Sequence, residues 1–344
     1  MKIMITGGLG FLGSNLASKA SEAGHIVCVY DNQSRNGAEK NKSWLKEKFP
    51  AINIFEGDVS DLESLSKCFS NFQPDSIAHL AGQVAMTTSI ENPLLDFNTN
   101  ALGTMNVLNC ILKSEKKIPI IYSSTNKVYG DLEQYDYEIS KHRYICKDFL
   151  LGFDESVPLE FHSPYGCSKG AADQYILDFS RIYQIPGIVF RHSSIYGGRQ
   201  FSTEDQGWIG WFCQQALLIK EGKINKIEIA GDGNQVRDLL FADDAVNLYL
   251  KSLENAELLA GQAFNIGGGM SNSLSLNELF LYLEKKLETQ IHIQRNQKRI
   301  SDQRVFVADI SKIQSRISWS PAVGKNEGID RMIEWIQSEQ IGNL

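Results

Sequence analysis

Hydrophobic runs and amphipathic patterns alternate along the first half of the chain. Short runs rich in Ile, Val and Leu are typical of buried strands, and the stretches between them repeat with helical periodicity. Strands and helices that alternate at this spacing predict an α/β fold, a doubly wound parallel sheet with helices on both faces. The predicted strands are 2–6, 26–31, 52–56, 76–80, 118–123 and 187–191, and the predicted helices are 12–23, 61–72, 97–113 and 169–183.

The pattern changes after about Tyr196, where longer helical patterns mix with isolated strands. Helices are predicted at 208–220, 243–253, 276–287 and 329–337, and strands at 226–230 and 263–266. We expect a smaller mixed α/β lobe that closes over the first, with residues 1–195 in one part, residues 196–344 mainly in the other, and the chain crossing between them. Residues 130–163 are polar and rich in aromatic residues, which predicts a long connection of the kind that often binds a ligand.

Composition and charge exclude several classes of protein. A net charge of −7 and a pI near 5.5 argue against a general nucleic-acid binder, because phosphate contacts need a basic surface. The N-terminal apolar run meets glycines at once, and no later run is long enough to span a membrane. We therefore expect a cytoplasmic protein that binds neither nucleic acid nor membrane. The cysteines lack any Cys-x-x-Cys pair, which indicates reduced thiols and no metal site: Cys28, Cys68, Cys110, Cys146, Cys167 and Cys213.

A glycine-rich turn joins the first predicted strand to the first predicted helix. Gly7, Gly10 and Gly13 have the spacing G-x-x-G-x-x-G, which lets the backbone approach a pyrophosphate at a helix N-terminus. Asp31 ends the second strand, where a carboxylate accepts the adenine-ribose hydroxyls and repels a 2′-phosphate. The pattern therefore predicts a Rossmann-type site for NAD rather than NADP, although the nearby Arg35 argues in the other direction.

Further residues of this cofactor site follow from the same turns. Asp58 follows the third strand, where it either meets the adenine edge or caps a turn. The predicted cofactor-binding residues at these turns are Gly7, Gly10, Phe11, Leu12, Asp31, Asn32, Arg35, Asp58 and Val59.

Two segments supply acid–base chemistry. Tyr165 and Lys169 have the spacing Tyr-x-x-x-Lys on a predicted helix, which places both side chains on one face. An ammonium and a cationic nicotinamide favour the phenolate, so that Tyr165 can serve as a general base. Ser124 and Thr125 follow the fifth predicted strand, at the edge where parallel strands bind ligands.

These segments together resemble the extended short-chain dehydrogenase/reductase family, whose members act on nucleotide sugars. The resemblance covers nearly the whole chain and is carried by the glycine turn, Leu80-Ala81-Gly82, Asn100-Ala101-Leu102-Gly103-Thr104, Ser123-Ser124-Thr125, Tyr165/Lys169 and Arg237-Asp238. It implies that Tyr165 is the base, that Lys169 is its partner, and that Thr125, with Ser124 beside it, donates to the sugar oxygen.

The resemblance also implies binding residues. Along the cofactor would lie Leu80, Ala81, Gln83, Asn100, Tyr165 and Lys169, with Asn100 and Lys169 near the nicotinamide ribose. Arg237 and Arg304 would clamp the substrate diphosphate, which suits a planar guanidinium. The implied substrate-binding residues are Gln83, Thr125, Asn126, Ser194, Gln206, Arg237 and Arg304.

Among the reactions of the family, epimerisation fits these residues best. The 4,6-dehydratases of the family carry an acid–base pair directly after the Thr, whereas this chain has Asn126 and Lys127 there. The motifs are most similar to members that convert CDP-paratose into CDP-tyvelose, which implies a CDP-linked 3,6-dideoxyhexose as substrate. The hydrogen at C2 of that sugar is not acidic, so we expect oxidation to a 2-ketosugar and return of the hydride to the other face by a tightly bound NAD.

Several points stay open at this stage. An epimerase that acts at C4, or on a UDP- or GDP-sugar, is the first alternative, and a non-catalytic NAD-binding sensor is the second. Ser194 stands where many relatives carry Asn, His192 is either a site residue or structural, and Trp208 and Trp211 either stack on the ligand or pack in the core. The resemblance implies a homo-oligomer, a dimer or tetramer, but no interface can be identified in the sequence.

Overall fold

The strands and helices of the protein were located in a computed structural model, which describes residues 1–299 and 302–341. The strands, in chain order, are β1 (Lys2–Thr6), β2 (Ile26–Asp31), β3 (Asn53–Glu56), β4 (Ser76–His79), β5 (Ile120–Thr125), β6 (Tyr137–Ser140), β7 (Arg143–Cys146), β8 (Gly187–His192), β9 (Ser194–Tyr196), β10 (Ile227–Ala230), β11 (Val236–Phe241), β12 (Gln262–Ile266), β13 (Ser273–Ser275), β14 (Ile293–Asn296) and β15 (Val305–Phe306).

The α-helices connect these strands. They are α1 (Phe11–Glu22), α2 (Ala38–Lys48), α3 (Leu62–Phe72), α4 (Met86–Glu91), α5 (Pro93–Phe97), α6 (Gly103–Lys113), α7 (Ser163–Tyr183), α8 (Trp208–Lys220), α9 (Ala242–Glu254), α10 (Ala256–Leu259), α11 (Leu276–Leu287), α12 (Ser311–Arg316) and α13 (Lys325–Ile341). A π-helical turn, Asn98–Leu102, precedes α6, and 3₁₀ turns lie at Asn126–Tyr129 and Met270–Asn272. In the part of the chain that the structure describes, no helix is both long and apolar enough to cross a membrane.

A seven-stranded parallel sheet in the order β3-β2-β1-β4-β5-β8-β12 organises the fold. Apolar side chains of α1, α2 and α9 pack on one face of the sheet, and those of α3, α6 and α7 pack on the other. Both faces are therefore covered, which explains why the central strands are apolar on both sides. The prediction of a doubly wound, Rossmann-type α/β fold is confirmed.

The structure differs from the sequence prediction at several places, and three of them lie near the candidate site or on the large sheet. Helix α2 was not predicted, because it is so polar that only Ala38, Asn41 and Leu45 are buried. Strand β5 continues two residues beyond the predicted end, to Thr125. Helix α7 begins at Ser163, six residues before the predicted start, with Pro164 in its first turn, where a missing N–H costs nothing.

The second part of the chain builds a smaller sheet around β11. Strand β11 pairs with β9, β13 and β15, while β10 and β14 form a separate parallel pair. Helices α8, α11 and α13 pack their apolar faces together in a third core. The strand predicted at 263–266 is not isolated, because β12 pairs with β8 at the edge of the large sheet. Strand β12 thus joins the large sheet, and the division of the chain near residue 195 stays a prediction.

Residues 130–163 are not a plain connection. They contain the antiparallel hairpin β6–β7 and contribute Leu132, Cys146 and Phe153 to a fourth apolar cluster. That cluster also buries Phe306 of β15, and the rings of Phe153 and Phe306 stack at 5.7 Å. The segment is thus fixed against the second part of the chain, beside the end of β5.

Candidate active site

The glycine turn between β1 and α1 has no room for side chains on its inner side. Gly7 has a left-handed φ of 68°, and its N–H donates to the carbonyl of Tyr30 at 2.8 Å. A Cβ on Gly7 would lie 2.6 Å from the backbone nitrogen of Ala81, and one on Gly13 would lie 2.2 Å from the Gly7 carbonyl. A Cβ on Gly10 would meet only that carbonyl, at 3.3 Å. The turn is therefore closed toward the sheet and open above Gly10.

The first turn of α1 keeps its backbone donors available. Phe11 and Leu12 are its first residues, and Gly10, the residue before the helix, provides no side chain to cap them. Amide groups at a helix N-terminus then point toward an incoming anion, aided by the helix dipole. Leu80 and Ala81 follow the neighbouring strand β4, and the N–H of Leu80 donates to the carbonyl of Thr6. This geometry suits a pyrophosphate.

Asp31 lies buried at the end of β2, beside the glycine turn. Its carboxylate accepts the backbone N–H of Leu9 at 2.9 Å and that of Gln33 at 2.7 Å. Burial raises the pKa of Asp31, while the backbone donors and the charge of Arg35 oppose the rise. A carboxylate has lone pairs beyond these two bonds, so it can also accept ribose hydroxyls. Arg35 itself donates to the side chain of Gln206, which bridges the two parts of the chain.

Asn32 and Asp58 form a second polar group at the same edge. The Asn32 amide donates to Asp58 at 2.7 Å, and Asp58 accepts both the N–H and the hydroxyl of Ser60. Burial acts to raise the pKa of Asp58, but these donors outweigh it and hold the pKa below its usual value. The adjacent Val59 is buried, and its carbonyl accepts the Asn106 amide. Asp58 thus builds a turn, and its predicted contact with adenine stays a prediction.

The structure brings Tyr165 and Thr125 together at the carboxyl end of β5. Both side chains are buried, and their hydroxyl groups lie close together. Burial raises the pKa of Tyr165 to about 12, the Thr125 hydroxyl and Arg35 act to lower it, and Asp96 acts to raise it. Without a bound cation near the ring, the phenol is therefore protonated at neutral pH.

Lys169 lies one turn after Tyr165 and is only 2% exposed. Its ammonium donates to the carbonyl of Ser123 and stands 4.5 Å from the centroid of the Tyr122 ring. Burial lowers the pKa of Lys169 to about 7, and the carboxylates of Asp96 and Asp173 act to raise it. At neutral pH both the charged and the neutral form of Lys169 are thus present in comparable amounts.

The glycine turn and Lys169 meet at Gly82. Ala81 abuts Gly7, and a Cβ on the next residue, Gly82, would lie 3.4 Å from the Lys169 ammonium and 3.1 Å from the amide oxygen of Asn100. The predicted cofactor turn and the predicted acid–base pair therefore border the same cleft.

Gln83 and Asn100 are fully engaged by the protein itself. Gln83 donates its amide to the carbonyl of Ala85 and to Asp96, at 2.7 and 3.0 Å. Asn100 exchanges hydrogen bonds with the backbone of Gln83 and donates to Asp96 and Ser168. Both side chains hold the floor of the cleft, and their predicted contacts with ligands stay predictions.

Ser124 turns away from Thr125 into the protein interior. Its hydroxyl donates to Asp173 at 2.9 Å, and Asp173 is paired with Arg191. Neighbouring residues of a strand point to opposite faces, which explains why these two hydroxyls have different partners. A catalytic role for Ser124 stays a prediction, and the structure gives it a supporting bond.

Residues after β5 border the second part of the chain. The Asn126 amide donates to Gln303 at 2.7 Å, and Gln303 donates in turn to the carbonyl of Gly130. Lys127 follows on the same 3₁₀ turn, where burial and the charge of Arg237 lower its pKa to about 8. This arrangement holds no carboxylic acid at the two positions after Thr125.

The two candidate diphosphate arginines approach this region from the second part of the chain. Arg237 donates to Asp302 at 2.7 Å, and the Arg304 guanidinium lies over the rings of Tyr137 and Tyr144, at 5.6 and 6.0 Å. Because the Arg304 guanidinium lies over one ring on β6 and one on β7, residues 130–163 contribute to this side of the cleft.

The remaining candidates have structural partners. The indole of Trp208 donates to Ser194 at 2.9 Å, and Trp208 and Trp211 pack against the third core. The buried His192 bonds Ser123 and Tyr249 with its two ring nitrogens. These contacts favour the core interpretation for the tryptophans and the structural one for His192.

The sequence analysis missed three buried polar residues of this region, Asp96, Asp173 and Gln303. Asp173 stands four residues after Lys169, a spacing that predicts the same helix face. Asp96 stands four residues before Asn100 and Gln303 directly before Arg304, but only the fold shows that they contact Ser168 and Asn126.

Comparisons with known proteins agree with this geometry. A family model for GDP-mannose 4,6 dehydratase matches residues 4–332. The chain is 52% identical over 338 residues to CDP-paratose 2-epimerase from Salmonella typhi, covering 98% of this chain and 100% of that protein.

Solved structures share the fold. A UDP-glucose 4-epimerase from Thermotoga maritima, crystallised with UDP-glucose, has a TM-score of 0.83 and 28% identity, over 99% of this chain and 100% of that one. A dTDP-glucose 4,6-dehydratase from Bacillus anthracis in complex with NAD has a TM-score of 0.81 and 24% identity, over 99% of this chain and 98% of that one. The chain therefore belongs to the GDP-mannose 4,6 dehydratase family, within the extended short-chain dehydrogenases/reductases whose motifs it carries.

Proposed function

We propose that the protein is an NAD-dependent nucleotide-sugar epimerase that converts CDP-paratose into CDP-tyvelose by inverting C2. The observation that carries the proposal is the close approach of the buried Tyr165 and Thr125 hydroxyl groups, with Lys169 one turn away, at the cleft bordered by the glycine turn. The identity of 52% to CDP-paratose 2-epimerase over the full length of that protein supports the choice of substrate.

The residues present fit NAD. The turn is open above Gly10, the first amides of α1 are uncapped, and the buried Asp31 carboxylate can accept ribose hydroxyls. Its negative charge disfavours a 2′-phosphate, which supports NAD over NADP. When bound, NAD accepts a hydride from the sugar carbon and later returns it.

The proton transfers belong to the protein. The C2 hydrogen of a 3,6-dideoxyhexose has no adjacent carbonyl, so direct deprotonation at that carbon is excluded on chemical grounds. Tyr165 as phenolate takes the proton of the C2 hydroxyl while the C2 hydride leaves, which yields a 2-ketosugar. Thr125 donates to the sugar oxygen, and the Lys169 charge stabilises the phenolate. After the ketosugar presents its other face, Tyr165 returns the proton as the hydride returns.

The residues after Thr125 argue against a dehydratase. Elimination of a sugar hydroxyl needs a proton donor and acceptor beside C5 and C6. The amide of Asn126 exchanges no proton at neutral pH and is bonded to Gln303. Lys127 carries an ammonium, and a carboxylate is absent at both positions.

The nucleotide diphosphate is proposed to lie between the two parts of the chain. Arg237 and Arg304 present guanidinium groups there, and Lys127 adds a third positive group close to Arg237. Guanidinium groups bind phosphate oxygens in pairs, so this cluster suits a diphosphate on a protein whose net charge is negative. We accordingly assign residues 1–195 mainly to the dinucleotide and residues 196–344 mainly to the nucleotide sugar, with Gln206 and Ser194 at the boundary.

We also propose a homo-oligomer in the cytoplasm. The cysteines are free thiols, which suits a reducing compartment. Helices α4, α5 and α7 and their ends expose an apolar surface, and such a surface is typical of an interface between subunits. Its exposed side chains are Ile90, Leu94, Leu95, Phe97, Tyr175, Ile182 and Tyr183.

The test is turnover of CDP-paratose by the purified protein in D2O, followed by proton NMR of the sugar. The hydride route predicts CDP-tyvelose with protium retained at C2, because the hydride never exchanges with solvent. UDP-glucose and GDP-mannose are matched controls and should stay unchanged. Inversion at C4 of either control would support a 4-epimerase instead, and no turnover with bound NAD would support a sensor.

A further inference from the structure

Lys169 is a buried cation whose direct partners are not anions. In the described part of the chain, its ammonium donates to the carbonyl of Ser123 and lies over the Tyr122 ring. A buried charge is stable only when a nearby opposite charge compensates its lost hydration. A carboxylate within a few ångströms of Lys169 is therefore required if the ammonium is to keep its proton.

Asp173 is the first candidate, but Arg191 already neutralises it. Arg191 donates to both carboxylate oxygens of Asp173, at 2.9 and 3.0 Å, and both residues are almost completely buried. A bidentate pair of this kind is close to neutral when seen from outside. Asp173 therefore leaves the charge of Lys169 largely uncompensated.

Asp96 is the opposite case, a buried carboxylate that is bonded by neutral donors. It is 1% exposed and lies on α5. Its oxygens accept the amides of Gln83 and Asn100 at 3.0 and 3.1 Å and the hydroxyl of Ser168. These donors stabilise a negative charge without cancelling it.

The fold places this carboxylate beside the lysine. Ser168, which donates to Asp96, is the residue directly before Lys169. Asn100, which also donates to Asp96, has its amide oxygen next to Gly82, where the Lys169 ammonium lies as well. The Asn100 side chain thus contacts Asp96 through its amide nitrogen and borders Gly82, beside the Lys169 ammonium, through its amide oxygen.

We propose that Asp96 is a positioning residue that serves as the counter-charge of Lys169 and keeps this buried lysine protonated. The carboxylate acts through the field it exerts across Ser168 and Asn100 and touches neither substrate nor cofactor. The kinetic part of this inference rests on the proposed function, whereas its electrostatic part depends only on the described residues.

Other titratable groups around Lys169 do not replace Asp96. The buried His79 and His192 are neutral, because burial lowers the pKa of each to about 3. The pKa of the buried Tyr122 is raised by burial, so this phenol is neutral too. The groups that face Lys169 from the surrounding elements are His79, Asp96, Tyr122, Tyr165, Asp173, Arg191 and His192.

Removing the Asp96 charge should shift the pKa values of Lys169 and Tyr165 in the same direction. The charge of Asp96 raises the pKa of Lys169 and also raises the pKa of Tyr165. Asp96→Asn removes the charge while the new amide can keep bonds to Gln83 and Ser168. Both pKa values should therefore fall, and the whole pH profile of turnover should move toward lower pH.

The experiment is a titration of Lys169 in the NAD-free protein by NMR of ε-¹³C-lysine, with the resonance assigned by its loss in Lys169→Met. In the parent protein this lysine should titrate near pH 7. In Asp96→Asn its pKa should fall by about one unit or more, the usual effect of a nearby opposite charge. Asp178→Asn, on the exposed side of α7, removes an equal charge and should leave the titration unchanged.

Two outcomes would overturn the proposal. If Lys169 titrates alike in the parent and in Asp96→Asn, Asp96 is either protonated toward Ser168 or too distant. If turnover falls at every pH while both limbs of the pH profile stay in place, Asp96 is only structural. Failure of CDP-paratose turnover in the parent protein would reject the proposed function alone, because the NMR titration needs no substrate.

A second measurement covers the case in which Asp96→Asn folds poorly. If the two charges compensate each other, Lys169→Met leaves Asp96 as an unbalanced buried anion. Adding Asp96→Asn to Lys169→Met should then raise the melting temperature, although Asp96→Asn lowers it in the parent protein. Equal losses in both backgrounds would show that the two residues are independent.

Discussion

Arg191 and Asp173 form a bidentate ion pair beneath the candidate active site, with Nε–Oδ2 and Nη2–Oδ1 distances of 2.9 and 3.0 Å. A third guanidinium nitrogen donates to the Tyr129 hydroxyl at 3.0 Å, and Ser124 donates to the same carboxylate. The pair fastens α7 to β8 one turn after Lys169. Because α7 also carries Tyr165 and Lys169, we expect the position of these two side chains to depend on this contact.

Loss of one partner of that pair should destabilise the fold. Asp173→Asn leaves the Arg191 charge buried without a full counter-charge, and such changes cost about 3–5 kcal/mol. We expect a decrease of that size in the free energy of unfolding, measured by urea denaturation of the purified protein. Asp178→Asn changes the same residue type on the exposed side of α7 and should cost less than about 1 kcal/mol. Equal losses in the two variants would contradict the importance of the buried pair.

The Thr125 hydroxyl should be needed for turnover but not for cofactor binding. Thr125→Val keeps the size of the side chain and removes the hydroxyl group that lies beside Tyr165. We expect kcat to fall by about a hundredfold or more, because one oriented donor is lost from the reacting oxygen. Thr125→Ser keeps the hydroxyl and should retain most of the activity, while NAD content stays at the parent level in both variants. A fully active Thr125→Val would exclude the proposed donor.

Asp31 should determine the choice of dinucleotide. Asp31→Asn keeps an acceptor for the Leu9 amide but removes the charge. Hydrogen bonds to charged groups contribute about 1.5–3 kcal/mol, so the NAD dissociation constant should rise by roughly ten- to hundredfold. The preference for NAD over NADP should shrink at the same time, because the repulsion of a 2′-phosphate disappears. Isothermal titration with both dinucleotides measures this, and unchanged constants would place the adenine ribose elsewhere.

Arg237 should contribute to the affinity for the nucleotide diphosphate. Arg237→Gln removes one guanidinium of the cluster, so the dissociation constant of CDP should rise by about tenfold or more. KM for the nucleotide sugar should rise with it, while kcat changes little. Arg295→Gln is the matched control, because Arg295 is exposed and donates to the carbonyl of Asp232 outside this region. If both variants bind CDP alike, the diphosphate does not contact Arg237.

The order of strands and helices in the large sheet was predictable because its signals are local. Apolar runs, the glycine turn and the helical periodicity of α3 and α8 depend on neighbours in sequence, and their predicted positions agree with the structure to within a few residues. The same holds for Tyr165 and Lys169, whose spacing places them on one helix face. Helix α2 and the hairpin β6–β7 were missed. A polar helix, and a short hairpin that packs on a distant segment of the chain, show no strong hydrophobic periodicity.

The sequence by itself determined the fold class and the family, and it predicted an acid–base group at Thr125, Tyr165 and Lys169. Only the tertiary structure decided how these groups are supported: Asp96 behind Lys169, Asp173 on Arg191, and Gln303 on Asn126. The physical reason is that compensation of buried charges and hydrogen bonds depends on distance in space. Partners of this kind can be distant in sequence: Gln303 and Asn126, for example, are 177 positions apart along the chain.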